Sequence, residues 1–458
     1  MKTSNCIFRL IIAGSLIRLL SVNYVAAQNM IGFTGNYAGL SGIYLNPSSI
    51  ANTKMKLDIN LFTFGGHMHN NYYYIPKKQY NPINPFRNGF ADKGAYKLYP
   101  LNGKSPYLFT REQMHLPAVM YANGKNAFAF GISWRLEADA VNIPQDIVHL
   151  MNEGIFAGRE VSHPINTPQH ADRFHFALAS WEELSATYSR RLVQENGKYF
   201  AAGITGKLLL GNAACYFSNK NLDYYYANNK SISFSNAQAN FGVVVPRGLI
   251  NGYGLGADLG VTYAVSDRST TRSVAGFYNY RYRLGAVLLD LGAIRFGSGI
   301  TYHVNSYDES VNANGNTVSN IYDMGTTTGG MVQRNSLSFV LPTALSLQFD
   351  YNINDAFFLG SQFVQGFRFT GCQVRRPGVL AFIPRYERRR LEVSAPVSLY
   401  DWRMLRMGLH LRIFGISFGV EKSGWLLPLS DFKAVDGYIA FKYSIGKKEL
   451  TKPMFDTR

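Results

Sequence analysis

The chain has 458 residues, 47% hydrophobic, 14% aromatic and only 16% charged, where soluble domains carry about 25% charge. So much apolar surface excludes a disordered chain, and 17 Pro and 3 Cys without a short period exclude a collagen or a disulfide scaffold. Past the N-terminus there is no run of about 20 apolar residues, so a polytopic helical membrane protein is excluded too, leaving a large soluble β protein or a transmembrane β-barrel.

The N-terminus reads as an export signal. Lys2 precedes an apolar stretch from Cys6 to Leu20, interrupted by Arg9 and Arg18, and Val25-Ala26-Ala27 supplies small residues for cleavage before Gln28. A buried N-terminal helix is the alternative. The residue directly after the cleavage site is Gln28 and not a cysteine, so a lipid anchor is not expected. The next segment, 28–53, is irregular and glycine-rich. Within it, Asn46-Pro47-Ser48-Ser49-Ile50-Ala51 predicts a short helical turn, because a residue before proline is extended like an N-cap and proline suits the first helical position. This segment either sits at or inside the periplasmic mouth of a barrel or is a plain lead-in to the first strand.

From residue 54 the apolar period is two. Phe128, Phe130, Ile132, Trp134 and Leu136 alternate with Ala, Gly, Ser and Arg, and the run Leu255, Ala257, Leu259, Val261, Tyr263 and Val265 behaves alike. Further alternating runs are Leu345–Ile353, Leu391–Leu399, Met407–Ile413 and Ile439–Ile445. Segments of about ten residues with one apolar and one small-or-polar face suit lipid-facing barrel strands, whereas sandwich strands are usually shorter. The expected strands are 54–64, 116–123, 126–137, 181–193, 198–210, 253–265, 277–289, 337–351, 356–368, 379–388, 390–399, 404–414, 416–421 and 436–446. The fold class is therefore all-β, an antiparallel transmembrane barrel of about 14 strands spanning 54–446, followed by a short tail, 447–458.

The connections alternate in length. Those at 65–115, 138–180, 211–252 and 290–336 are long, and those between them are short, including Asn123-Gly124-Lys125 and Gln194-Glu195-Asn196-Gly197, with the Asn-Gly pair of tight hairpins. Short periplasmic turns and long external loops are the pattern of an outer-membrane barrel. The first long loop is aromatic and turn-rich, around Asn70–Tyr74 and Asn81–Pro85. The second predicts a helix from Pro144, with Ile147, Val148, Leu150 and Met151 at helical spacing.

The N-terminal motif followed by Lys56-Leu57-Asp58-Ile59-Asn60-Leu61, then Tyr282-Arg283-Leu284-Gly285, Leu288-Leu289-Asp290-Leu291-Gly292, Leu341–Gln348 and Pro384-Arg385-Tyr386-Glu387, resembles a domain-of-unknown-function family of Bacteroidota outer-membrane proteins. The resemblance covers about 30–446. The Asn46-Pro47 segment is also similar to that of fatty-acid-transporter-like barrels, which include a barrel subunit of type IX secretion. The resemblance implies an outer-membrane barrel, with no established activity and no catalytic residues.

Nothing in the residues themselves points to an enzyme or a cofactor. His67 and His69 share a strand face as metal ligands do, but no third ligand stands near them in sequence, and no metal site is expected. His115, His163, His170, His175, Asp172 and Ser180 are scattered loop-side residues that fit any hydrolase scheme and hence none. Gly252-Tyr253-Gly254-Leu255-Gly256 opens a strand instead of closing one, so the nucleotide-loop reading fails. Arg388-Arg389-Arg390 and the basic pI read as interfacial arginines of an exported barrel, with no nucleic-acid partner. Cys215 and Cys372 fall in expected external connections, where a disulfide is possible and two free thiols are favoured.

If the apolar alternates face lipid, Arg135, Lys207, Arg281, Arg283, Arg406, Arg412 and Lys442 line the lumen with Glu137, Asp258, Asp350, Glu392 and His410. Either the acids pair with most bases and rigidify a filled interior, or the surplus positive charge favours anionic solutes. The expected function is a channel or transporter for small or amphiphilic molecules in the Gram-negative outer membrane. The alternative is a structural or adaptor barrel that binds an envelope protein. Outer-membrane lipid is the partner common to both. Cleavage after Ala27 predicts a mature protein beginning at Gln28, which an intact mass of the membrane-extracted chain checks directly.

Overall fold

The computed structural model describes residues 31–451, apart from 78–96, 99–104, 145–165, 172, 229–230, 267–271, 275, 305–308, 313–330, 335 and 423–432. The leader, the turn at Asn81–Pro85 and the helix expected from Pro144 lie outside the described residues. Among the described residues, no helix is long and apolar enough to cross a membrane.

Fourteen antiparallel strands close into a barrel. They are β1 (Met55–Asn70), β2 (Tyr107–Asn123), β3 (Asn126–Val141), β4 (His175–Glu195) and β5 (Lys198–Asn228). β6 comes in two pieces, Ser231–Val244 and Gly252–Val265, both laid along β5. β7 comprises Tyr282–Phe296, Gly299–Val304 and Glu309–Asn312, and β8 comprises Met331–Arg334, Leu337–Val340 and Ala344–Asn352. β9 (Phe357–Gly366) and β10 (Val379–Glu387) follow. β11 (Leu391–Ser394, Val397–Tyr400) and β12 (Met404–Met407, Leu409–Ile413) are each broken once. β13 (Ile416–Val420) leads to β14 (Ala434–Gly446), which pairs with β1 from Met55↔Gly446 to His69↔Ala434 and closes the wall.

Every expected strand has its counterpart, but strand extends into all four of the expected long connections and fills most of 211–252. β1 runs on to Asn70, β2 begins at Tyr107, β4 begins at His175, and β5 continues to Asn228. These extensions have water or protein on both faces instead of lipid on one, so they lack the clean alternation that marks a strand in hydrocarbon. The alternates that do face lipid include Phe128, Phe130, Leu255, Leu259, Leu347, Phe382, Leu405 and Phe441, all exposed. At the turn end the hairpins are tight, with Gly124, Asn196, Gly197 and Phe414 in the left-handed region. Beyond β14, Glu449–Thr451 pairs with Arg272–Val274.

The segment before β1 is inside the barrel. It makes three 3-10 turns, Ile31–Thr34, Gly39–Tyr44 and Pro47–Asn52, nearly all of them buried. Of the two readings of this segment, the structure selects the mouth-filling one. Wall glycines admit it. A Cβ on Gly203 would lie 2.5 Å from the Pro47 carbonyl carbon, and one on Gly260 would lie 2.3 Å from Asn46 Oδ1.

Of the two cysteines, Cys215 departs from the expected connection and Cys372 keeps to one. Cys215 is on β5, because the strand outlasts its apolar alternation. Cys372 is buried in the 367–378 connection, which folds inward onto a core of Trp181, Leu209, Phe296 and Phe339. Both are free thiols. Denatured without reductant, the mature protein should therefore take up two equivalents of a maleimide per chain, counted by mass.

Candidate functional site

Two polar layers occupy the lumen. The lower one fastens the N-terminal plug. Asn46 is extended (φ −161°), as the residue before proline must be, and its Oδ1 accepts from the Ser48 N–H (2.9 Å), capping the third turn. Its Nδ2 donates towards Val261 O, Thr262 Oγ1 and Gln348 Oε1, each at 3.3 Å, and Gln348 Nε2 returns a bond to Leu45 O. The Ser48 and Thr262 hydroxyls are 2.7 Å apart. Thus Asn46 and Pro47 serve local geometry and wall attachment together.

Two wall carboxylates also grip the plug, and a third positions an arginine that does. Glu387 accepts from the Asn36 N–H and from Arg385 Nε, both at 3.0 Å. Asp58 accepts from the Leu40 N–H (2.8 Å) and from Lys442 Nζ (3.1 Å), while Lys442 also donates to Ala38 O at 2.6 Å. Asp350 is shared by Arg283 (3.1 Å), Arg385 (2.9 Å) and the Tyr280 hydroxyl. Arg283 continues to Thr34 O and Asn36 Oδ1. Beside these groups a small cavity of about 50 Å³ separates plug from wall, lined by Thr34, Asn46, Ser49, Gln348, Asp350 and Ile383.

The upper layer centres on Asp290. Its backbone is left-handed (φ 54°), at the point where β7 leaves its register with β8 between Leu289↔Ala344 and Ala293↔Val340. The break is stitched closed: Thr343 Oγ1 donates to Asp290 O, and the Leu341 N–H to Gly292 O. The Asp290 carboxylate accepts from Arg135 Nη1 (2.7 Å), Lys207 Nζ (2.7 Å) and Arg376 Nη2 (2.6 Å), and its N–H donates to Asp258 Oδ1. Arg135 further reaches Glu183 (2.8 Å) and Glu137, and Glu137 also meets Arg111 at 2.9 Å. Acids and bases in this layer pair throughout.

The remaining sequence candidates divide. Arg412 is 3.1 Å from Glu392, and His410 Nδ1 is 2.7 Å from the Tyr438 hydroxyl, with Phe33 of the plug against both rings. Arg406 is buried flat on Tyr400, its carbon 3.3 Å from the ring centre, and its nitrogens meet no hydrogen-bond partner among the described residues. Arg281 does not reach the lumen. β7 starts only at Tyr282, so the alternation does not extend to Arg281, which lies outward over Tyr351 at 4.6 Å. Sequence reading passed over Asp58, Glu183 and Arg385, although all three sit on the polar alternates of their strands. It also missed Asp290 and Arg376, one at a register break and one on a connection, where period carries no signal. Counted with these acids, the expected positive surplus is largely spent in pairs.

His67 and His69 share an inward face, with His67 Nε2 3.0 Å from the Tyr400 hydroxyl, and no group of three metal-binding side chains forms among the described residues. The scattered hydrolase candidates stay apart: His115 stacks on Tyr44 in the lumen, His170 meets Asp223, and His175 lies 3.5 Å from Asp139. His163 and Asp172 lie outside the described residues.

An apolar outer wall around a polar, plugged lumen is the architecture of an outer-membrane barrel. Residues 47–419 match a family of unknown function (DUF5723), and the chain belongs to that family. No curated protein matches it. Among solved structures it is similar to the toluene transporter TbuX of Ralstonia pickettii, at 11% identity over 93% of this chain and 97% of that one, with a TM-score of 0.39. A FadL homologue of Pseudomonas aeruginosa gives 12%, 92% and 97%, with a TM-score of 0.37. The toluene transporter TodX of Pseudomonas putida gives 8%, 92% and 97%, with a TM-score of 0.32.

Removing the hub of the upper layer takes from Arg376 its ion-pair partner among the described residues and from Arg135 and Lys207 one of several. Asp290→Ala should cost about 3–5 kcal/mol, the range for breaking a buried pair from one side. The temperature at which the folded band converts to the unfolded one on a gel should fall accordingly, and less for Asp290→Asn.

Proposed function

We propose that this barrel is a gated transporter of small or amphiphilic molecules across the outer membrane, closed at rest by residues 31–54. The observation that carries this reading is how the plug is held. It adds no strand to the wall, and its attachments are side-chain hydrogen bonds, of Asn46 with the wall and of Asp58, Arg283 and Glu387 with the plug backbone, with an ion pair between Lys54 and Glu387. Such bonds exchange with water at a net cost of about 0.5–1.5 kcal/mol each, or about 1.5–3 kcal/mol where one partner is charged, so the plug can shift while every ladder bond stays intact. The cavity beside it gives the first space into which a shift can go.

A second reading, a structural or adaptor barrel for an envelope protein, is favoured by the upper layer. Together with the plug it obstructs the lumen at two heights.

Cross-linking decides between them. In a background with Cys215 and Cys372 changed to Ser, Ser48→Cys with Thr262→Cys places two thiols where the hydroxyl oxygens lie 2.7 Å apart. In proteoliposomes, small sugars and short amphiphiles should enter through the reduced protein and be blocked by oxidation. Uptake equal in both states, or absent from both, overturns the transport reading. A stoichiometric partner co-purified from outer membranes would then support the adaptor.

A further inference from the structure

The Arg388-Arg389-Arg390 run has no part in the lumen. It forms the hairpin between β10 and β11 at the short-turn end, the periplasmic end of an outer-membrane barrel. The turn is braced from inside: Arg412 Nη2 donates to Arg388 O (2.9 Å) and Nη1 to Arg389 O (3.1 Å). The carboxylates flanking the run, Glu387 and Glu392, point inward and are held by Arg385 and Arg412, so they do not neutralise it.

Three guanidinium groups at this end repeat one arrangement. Arg388 lies 5.7 Å over the ring of Tyr386, Arg390 lies 5.4 Å over Phe414, and Arg281 lies 4.6 Å over Tyr351. Tyr386 and Tyr351 are on the outward alternates of β10 and β8, in line with exposed Phe382 and Phe349, and Phe414 is itself 64% exposed. None of Arg281, Arg388, Arg389 and Arg390 forms an ion pair among the described residues. Arg281, Arg388 and Arg390 therefore stand on the outer circumference, directly below the lipid-facing band, where aromatic rings mark the boundary between hydrocarbon and headgroups, with exposed Arg389 at the tip of the turn. A guanidinium over a ring keeps N–H groups at its edge for other acceptors (Arg281 gives Nη1 to Ile353 O at 3.4 Å and keeps the rest), and such an edge fits phosphate oxygens.

We infer that this rim binds the phosphodiester headgroups of anionic glycerophospholipids in the leaflet at the turn end. An acidic protein would meet the barrel from below, whereas Arg281, Arg388 and Arg390 lie on rings that face sideways into the bilayer. Clustered basic residues at a membrane surface contribute about 1 kcal/mol each towards anionic lipid, about fivefold in affinity per residue.

The test is lipid retention by the delipidated full-length barrel in mild detergent, read by native mass spectrometry. Phosphatidylglycerol should be retained well above phosphatidylcholine, and the preference should shrink with salt. Changing Arg281, Arg388, Arg389 and Arg390 together to Gln should reduce phosphatidylglycerol retention by at least about tenfold. The heat-modifiable gel shift of that variant should remain, which confirms that it folds. The same four positions as Lys should retain an intermediate amount, since charge persists without the fork. Equal retention of the two lipids, full retention by the folded Gln variant, or displacement of phosphatidylglycerol by equimolar inorganic phosphate would each overturn the inference.

Discussion

A wall immersed in hydrocarbon has only one face on which a charge can be placed, and in this barrel that face encloses a narrow space. Charges gathered there are far from bulk water, and each needs a counter-charge or a fixed dipole within reach. The arrangement around Asp290 follows from that requirement. One carboxylate serves Arg135, Lys207 and Arg376, while Asp258 and Glu183 complete the shells of the cations. The left-handed turn at Asp290 is part of the same solution, because it carries the residue's own N–H to Asp258.

The plug answers the same requirement with backbone. Wall acids whose bases do not exhaust them, Asp58 and Glu387, take the N–H groups of Leu40 and Asn36, and Lys442 and Arg283 take the carbonyls of Ala38 and Thr34. Short 3-10 turns suit this role, since they leave more backbone groups unpaired than a long helix would. The segment is thus solvated by the wall that it closes. This makes it firmly seated in the resting barrel and still separable from it, the combination on which the transport reading depends.

What the sequence disclosed follows where lipid lay. Strands with hydrocarbon on one face, such as 126–137 and 253–265, show a strict period of two, and the order of motifs from Asn46 to Glu387 pointed to a family of unknown function. The Asn46-Pro47 turn was readable because proline chemistry is local. The upper parts of β2, β5 and β7 were not readable, since no lipid imposes alternation there. Arg281 was misplaced by extending a strand period one residue past the strand's start. Asp290 and Arg376 were invisible because their role depends on strands that meet only once the barrel has closed.

The plug precedes the first strand, yet its attachments lie on β4, β6, β8, β10 and β14, up to 404 residues away. The last of these strands is also the one that zips to β1. Its seat is complete only once β1 and β14 have met, because Asp58 of one strand and Lys442 of the other pair with each other and together hold Leu40 and Ala38. Docking of the plug and sealing of the wall are then a single late event. Because such distant contacts repay their loop-closure entropy only at the end, assembly of this barrel should be slow and all-or-none at the seam.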